Sequence, residues 1–184
     1  MTGNDLLLVI DVQNGSVNPH SKHIVEPLCT FVEKWLAQGN QAIFTRFIND
    51  PDSQWEKLMH WSRVRIEPEI SLVPRLAEMA ISTNKQVTIV DKHSYSSLTP
   101  EVKSIITRSA SSRILLCGIA TDACVLKTAV DLFEARRTPL VLVDLCASEA
   151  GAIAHRAGLI VIERLIGAEQ MIVSGTITSG DINH

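Results

Sequence analysis

Three side chains set far apart along the chain are of the types that run acyl transfer: Asp11, Lys92 and Cys124. A thiol becomes a good nucleophile when a base takes its proton or a cation steadies the thiolate. Asp11 can do the first and Lys92 the second, with the protonation of acid and thiol coupled. Cys124 lies in the stretch RILLCGIATDACV, Arg113 to Val125, close to an expected helix start. Backbone N–H groups and the positive end of the helix dipole favour a thiolate there. In the Gly118–Cys124 turn the same N–H groups can receive the oxyanion formed when sulfur attacks a carbonyl. The chemistry indicated has four steps: attack by Cys124, an oxyanion held by the turn, protonation of the departing amine by Asp11, and hydrolysis of the thioester by water. Taken alone, each residue also has a plain structural reading. Cys124 fits a buried small hydrophobe, Asp11 a strand-end carboxylate that caps a turn, and Lys92 a solvated surface cation.

What joins the three is their place at the ends of expected strands. Leu6 to Val12, LLLVIDV, is an apolar run that suits a strand buried on both faces, with Asp11 at its carboxyl end. Apolar residues at helical spacing run from Ile24 to Ala37, and Gln41 to Phe47 reads as the second strand. Ile48 to Glu67 is irregular, holds one short helix and overhangs the site, while Pro68 to Leu76 has no clear pattern. Gln86 to Val90 is the third strand and leads into Lys92. Thr99 to Thr107 opens on Thr-Pro-Glu, a good helix start. The Arg113–Gly118 strand then feeds a helix from Asp122 to Ala135, capped by Thr121 or Asp122. A strand over Leu140–Asp144, a helix over Glu149–Ile166, a weak strand over Gln170–Val173 and a peripheral tail from Ser174 complete the chain. Strands alternating with helices predict a parallel sheet covered on both faces, with ligands bound outside the carboxyl ends of its strands.

Bulk properties narrow the partners. A length of 184 residues suits a single domain, 1–184, with a sizeable core. A net charge of −3 gives no reason to expect nucleic acid or an anionic membrane surface. No apolar run is as long as a bilayer span, and MTGNDLLLVIDVQ has neither the basic start nor the cleavage site of a secretory signal. Cys29, Cys117, Cys124 and Cys146 are widely spaced, with no metal-like pairing. They read as reduced thiols of a cytoplasmic protein.

Other residues compete for attention. His93 should point away from Lys92 along an extended chain. His20 and His23 lack a third ligand at suitable spacing and read as surface histidines. Cys117 sits inside a strand run and reads as a packed thiol. Arg46 can bind a substrate carboxylate or carbonyl, or form a surface ion pair. Trp55 and Trp61 can wall the pocket or pack beneath the loop.

DVQN at Asp11–Asn14, DKHSYSSL at Asp91–Leu98 and GIATDACV at Gly118–Val125 together resemble the isochorismatase-like cysteine hydrolases. The resemblance runs in order from Leu6 to Ile166 and includes VDLCAS at Val143–Ser148. It implies a three-layer α/β/α fold around a six-stranded parallel sheet of order 3-2-1-4-5-6. It implies Asp11, Lys92 and Cys124 as the catalytic triad, and a cis peptide at Ile119–Ala120 that aims the N–H groups of Ala120 and Cys124 at an oxyanion. It implies a small-molecule substrate and, since oligomers are common in the family, a homo-oligomer.

This chain departs from the family pattern at three places. Nicotinamidases carry a metal-binding Asp-x-His after the second strand; Phe47 and Asn49 stand at those positions here. Asp50, Asp52 and His60 are nearby without that spacing, so no metal or other cofactor is expected and nicotinamide is a doubtful substrate. Gly15-Ser16-Val17 and Leu98 replace aromatics common in the family, which alters pocket size more than mechanism. The expected activity is hydrolysis of a small amide, ureido or carbamoyl compound through a Cys124 thioester. The alternatives are vinyl ether hydrolysis led by Asp11 acid catalysis, and a non-catalytic binding protein on the same fold.

Overall fold

The computed structural model describes residues 5–83 and 85–177. Residues 1–4, 84 and 178–184 lie outside it, and with them the start of the N-terminal stretch and most of the expected tail. Six parallel strands form one sheet: β1 Leu6–Ile10, β2 Gln41–Phe47, β3 Val87–Lys92, β4 Arg113–Ile119, β5 Thr138–Ala147 and β6 Met171–Ile172. Their order is β3-β2-β1-β4-β5-β6, with β1 and β4 side by side at the centre. The helices are α1 Val25–Ala37, α2 Gln54–Met59, α3 Pro74–Ser82, α4 Pro100–Ser109, α5 Leu126–Glu134 and α6 Ala152–Ile166.

Alternation along the central strands divides the core into two layers. Leu7 and Val9 of β1, with Leu115 and Cys117 of β4, face the layer built by α1 and α3. Leu6, Leu8 and Ile10, with Ile114 and Leu116, face the layer built by α4, α5 and α6. A strand with both faces buried must be apolar throughout, which is why β1 reads LLLVI. Gly118 sits against β1 with φ 125, and a Cβ there would come within 2.1 Å of the Ile10 carbonyl oxygen. Only glycine allows that approach at the end of β4.

The structure corrects several expected boundaries. Within the unassigned 68–76 stretch Pro74 opens α3 at a first-turn position, where its missing N–H costs nothing. β5 is longer than Leu140–Asp144, and its pairing with β4 is irregular between Leu116 and Gly118. α6 starts at Ala152 rather than Glu149, after Gly151 turns the chain with φ 100. The helix expected from Asp122 opens as a π-helical turn, Thr121–Val125, before α5 begins. Among the described residues no helix is long and apolar enough to cross a membrane.

Candidate active site

After β1 the chain builds the sheet outward through β2 and β3, then returns to add β4 on the other side of β1. In open parallel sheets such a reversal is where ligands bind, here at the carboxyl ends of β1 and β4. Asp11 follows β1, Lys92 ends β3, and Cys124 lies on the π-turn after β4. Asp11 itself has left-handed backbone, φ 51, and its side chain is buried. A non-glycine residue held there at a strand end marks a site where geometry outweighs backbone preference.

Lys92 is the hub. It is 1 % exposed, and its Nζ lies 2.8 Å from Asp11 Oδ2 and 3.5 Å from Cys124 Sγ. The same nitrogen donates to the carbonyls of Ser94, at 2.7 Å, and Tyr95, at 3.1 Å. Its charge also sits 5.3 Å from the centre of the Phe47 ring. Burial works against the ammonium, but the neighbouring Asp11 and Cys124 outweigh it and hold the Lys92 pKa above its ordinary value. For Cys124 the balance goes the other way. Burial pushes the thiol well above the usual range, Asp11 adds to the push, and Lys92 only partly offsets it. The Cys124 side chain is half-buried and lies beside the Asp11–Lys92 ion pair.

The π-turn has its own supports. The Ile119–Ala120 peptide bond is cis. The Ala120 carbonyl accepts from the N–H groups of Ala123, at 3.1 Å, and Val125, at 3.0 Å. Neither Thr121 nor Asp122 caps the turn through its side chain. Thr121 Oγ1 pairs instead with His155 Nδ1 of α6 at 2.8 Å.

Three supporting residues escaped the sequence reading. Thr45 Oγ1 donates to Asp11 Oδ1 at 2.8 Å. Gln13 clips the end of β2: its amide accepts from Phe47 N–H at 2.8 Å and donates to the carbonyls of Phe47, at 3.0 Å, and Ile70, at 2.8 Å. Phe47 pairs in register with Lys92 and lies beneath its ammonium. No signal in the sequence alone marks them, because the register that sets Thr45 beside Ile10 and Phe47 beside Lys92 is fixed only in the assembled sheet. Trp55 packs edge-on to Phe47 at 4.9 Å and Tyr95 edge-on to Trp55 at 5.2 Å; Trp61 lies 6.1 Å from Phe47. The two tryptophans thus lie around the ring that supports Lys92. Arg46 alternates to the other face of β2 and forms a two-pronged ion pair with Asp91, at 2.6 and 2.8 Å. His93 points outward to Asp50 at 2.7 Å, and His20 and His23 are exposed. Cys117 is fully buried in the core.

The model of the isochorismatase domain matches residues 5–173. The chain belongs to the isochorismatase domain family. Isochorismatase domain-containing protein 2 of Xenopus laevis is 38% identical over 80 residues, which are 43% of this chain and 38% of that relative. The chain therefore aligns with about two fifths of the relative's length. Among solved structures, nicotinamidase PncA from Bacillus subtilis superposes with a TM-score of 0.80 at 21% identity, covering 90% of this chain and 97% of that one. N-carbamoylsarcosine amidase from Thermoplasma acidophilum gives 0.80 at 18% identity, over 95% and 99%. At such identities the likeness is one of fold.

In this isochorismatase-domain chain the positions that bind metal in nicotinamidases do other work. Phe47 supports Lys92. Asn49 is buried and staples the overhanging loop: its Nδ2 donates to the carbonyls of Trp61 and Arg63, both at 3.1 Å, and its Oδ1 accepts from Ser53 at 2.5 Å. An aromatic ring and an amide already committed to the loop do not fit a metal ion.

Proposed function

We propose that this protein hydrolyses a C–N bond of a small amide, ureido or carbamoyl compound through a thioester on Cys124. The observation that carries the reading is the buried Lys92 ammonium, 2.8 Å from Asp11 Oδ2 and 3.5 Å from Cys124 Sγ, beside the cis peptide of the nucleophile turn. Because the thiol is held above its ordinary range, the nucleophile forms during attack rather than before it. Asp11 takes the Sγ proton as sulfur bonds to the carbonyl carbon. The oxyanion turns to the N–H groups of Ala120 and Cys124. Lys92 keeps its charge throughout and offsets the negative charge that moves between sulfur, oxygen and carboxylate. The tetrahedral adduct then breaks its C–N bond, and the amine leaves with the proton from Asp11. Water, giving a proton to Asp11, adds to the thioester; collapse returns the proton to sulfur and releases the acid. Phe47, Trp55 and Trp61 form an aromatic side to the site, suited to a flat acyl group. A reducing, cytoplasmic setting suits a catalytic thiol.

Ammonia release from a panel of small amides and ureido acids tests this, with the wild type and Cys124→Ala measured in parallel. The expected result is release that Cys124→Ala lowers at least about a thousandfold and that chelator leaves unchanged. Turnover that survives in Cys124→Ala would overturn the thioester and favour Asp11-led ether hydrolysis.

A further inference from the structure

The first residue of the π-turn is tied to a titratable ring. Thr121 is fully buried, and its Oγ1 lies 2.8 Å from Nδ1 of His155, at the end of the first turn of α6. Among the described residues the Thr121 hydroxyl has no other hydrogen-bond partner in range. A neutral imidazole with its hydrogen on Nε2 accepts the hydroxyl proton at Nδ1. In the other tautomer, and in the charged ring, Nδ1 carries a hydrogen and Thr121 must accept it. The hydroxyl proton is then stranded among buried groups, which costs more than an ordinary hydrogen bond contributes. The accepting, neutral ring is therefore the stable partner. We propose that His155 is a positioning residue for the reaction: its neutral ring holds the Cys124 turn in place through Thr121, and its protonation lets the turn go. The inference rests on the reading of Cys124 as the nucleophile.

The surroundings of the ring favour the neutral form. His155 is half-buried and close to the positive end of the α6 dipole, and the first turn of that helix carries no acid to offset it. Burial and then His23, on the short 3-10 turn Lys22–Ile24, hold the His155 pKa below its ordinary value, and Asp122 works against them. Among the described residues no charge on α5 or β5 adds to these. His155 makes no hydrogen bond or ion pair with Asp11, Lys92 or Cys124, so its influence runs through the turn alone. That turn is one short loop. The Ala120 carbonyl gathers the N–H groups of Ala123 and Val125, with Thr121 at its start and Cys124 three residues on. A Thr121 side chain that rotates in search of a new acceptor moves the backbone that carries Cys124.

Spectra of the ring nitrogens and backbone amides of the full chain, recorded by 1H–15N NMR from about pH 8 to about pH 5, read this without a substrate. At the upper end Nδ1 should resonate as an unprotonated acceptor. The amides of Thr121 to Val125 should then shift with the same midpoint as the ring. In Thr121→Val the ring should bind its proton about two- to tenfold more tightly, the equivalent of one ordinary hydrogen bond to the neutral form, and the turn should no longer follow it. Ammonia release from the amide panel supplies the kinetic counterpart. Wild-type kcat should fall at least about tenfold across that titration while KM holds. His155→Ala should be at least about tenfold slow even at the upper end. His155→Asn, whose Oδ1 offers an acceptor that does not titrate, should recover most of that loss and show no step. A neutral ring with its hydrogen on Nδ1 overturns the proposal. So does a turn that ignores the ring, a turn that still follows it in Thr121→Val, or a step in kcat that survives in His155→Asn. Turnover that persists in Cys124→Ala would sink the thioester reading instead, and the spectra would still decide whether His155 holds the turn.

Discussion

The two carboxylate oxygens of Asp11 stand in different surroundings, and that difference has chemical consequences. Oδ1 accepts the Thr45 hydroxyl at 2.8 Å; Oδ2 faces the Lys92 ammonium, also at 2.8 Å. A hydroxyl has one proton to donate, and Thr45 commits it to Oδ1. Oδ2 accepts no hydrogen bond, so in the proposed reaction it is the oxygen open to the proton leaving Cys124, on the Lys92 side of the carboxylate. Thr45 itself never reaches the reacting atoms; it positions Asp11. Thr45→Val keeps the shape and deletes the donor. Hydrogen bonds to charged groups contribute about 1.5–3 kcal/mol, so kcat should fall at least about tenfold while KM holds. Thr45→Ser should restore most of it. Val kinetics equal to the wild type, with Asp11→Asn inactive, would show that Lys92 alone orients the carboxylate.

At the scale of elements, the nucleophile turn is shaped by the helix that crosses behind it as much as by β4. Gly158 of α6 packs so closely on the π-turn that a Cβ would lie 2.7 Å from Asp122 Cα and 2.8 Å from its nitrogen. One turn of α6 earlier, His155 pairs with Thr121. Gly158→Ala must displace the turn two residues from Cys124. Overpacking of this kind costs about 1–3 kcal/mol, whereas a misplaced reacting atom can cost about a hundredfold in rate. Steady-state kinetics beside thermal melting should show kcat falling far more than stability, and an unchanged kcat would mean that β4 alone sets the turn. These dependences explain what could be read from the sequence. LLLVI and RILLC announced buried strands because a strand covered on both faces has no freedom in composition. Asp11, Lys92 and Cys124 stood out because reactive types sat at strand ends. The π-turn was hidden because TDAC is equally compatible with an ordinary capped helix, and the α6 residues packed on it, His155 and Gly158, lie more than thirty positions away. Gln13 and Thr45 were hidden for the same reason: each acts on a partner 34 residues distant, through a register that only the assembled sheet fixes.

Across the whole molecule, three of the four thiols, those of Cys29, Cys117 and Cys146, are sealed in the core, whereas Cys124 is half-buried at the site. Cys29, Cys117 and Cys146 are each no more than 2 % exposed. Burial pushes the Cys29 thiol up to about 11 and the Cys146 thiol up to about 12, and it raises Cys117 well above its ordinary value. In the unfolded chain the same thiols ionise near about 8.5. Above that pH the unfolded chain gives up protons that the fold still binds, so rising pH favours unfolding. The stability these thiols contribute is complete below the unfolded value and drains away toward each folded one, at about 1.4 kcal/mol per pH unit for each thiol. Lys92 contributes in the same direction but later, because its folded pKa is raised from an ordinary value that already lies near about 10.4. Urea unfolding measured from pH 7 upward should therefore be flat to about pH 8 and then fall with a slope of several kcal/mol per unit by about pH 10. A domain of ordinary stability, about 5–15 kcal/mol, would unfold in that alkaline range. Cys29→Ala, which leaves the site untouched, should lower the slope by about 1.4 kcal/mol per unit while costing some stability at neutral pH. A stability that stays level to pH 10 would mean that the core breathes enough for its thiols to ionise in place.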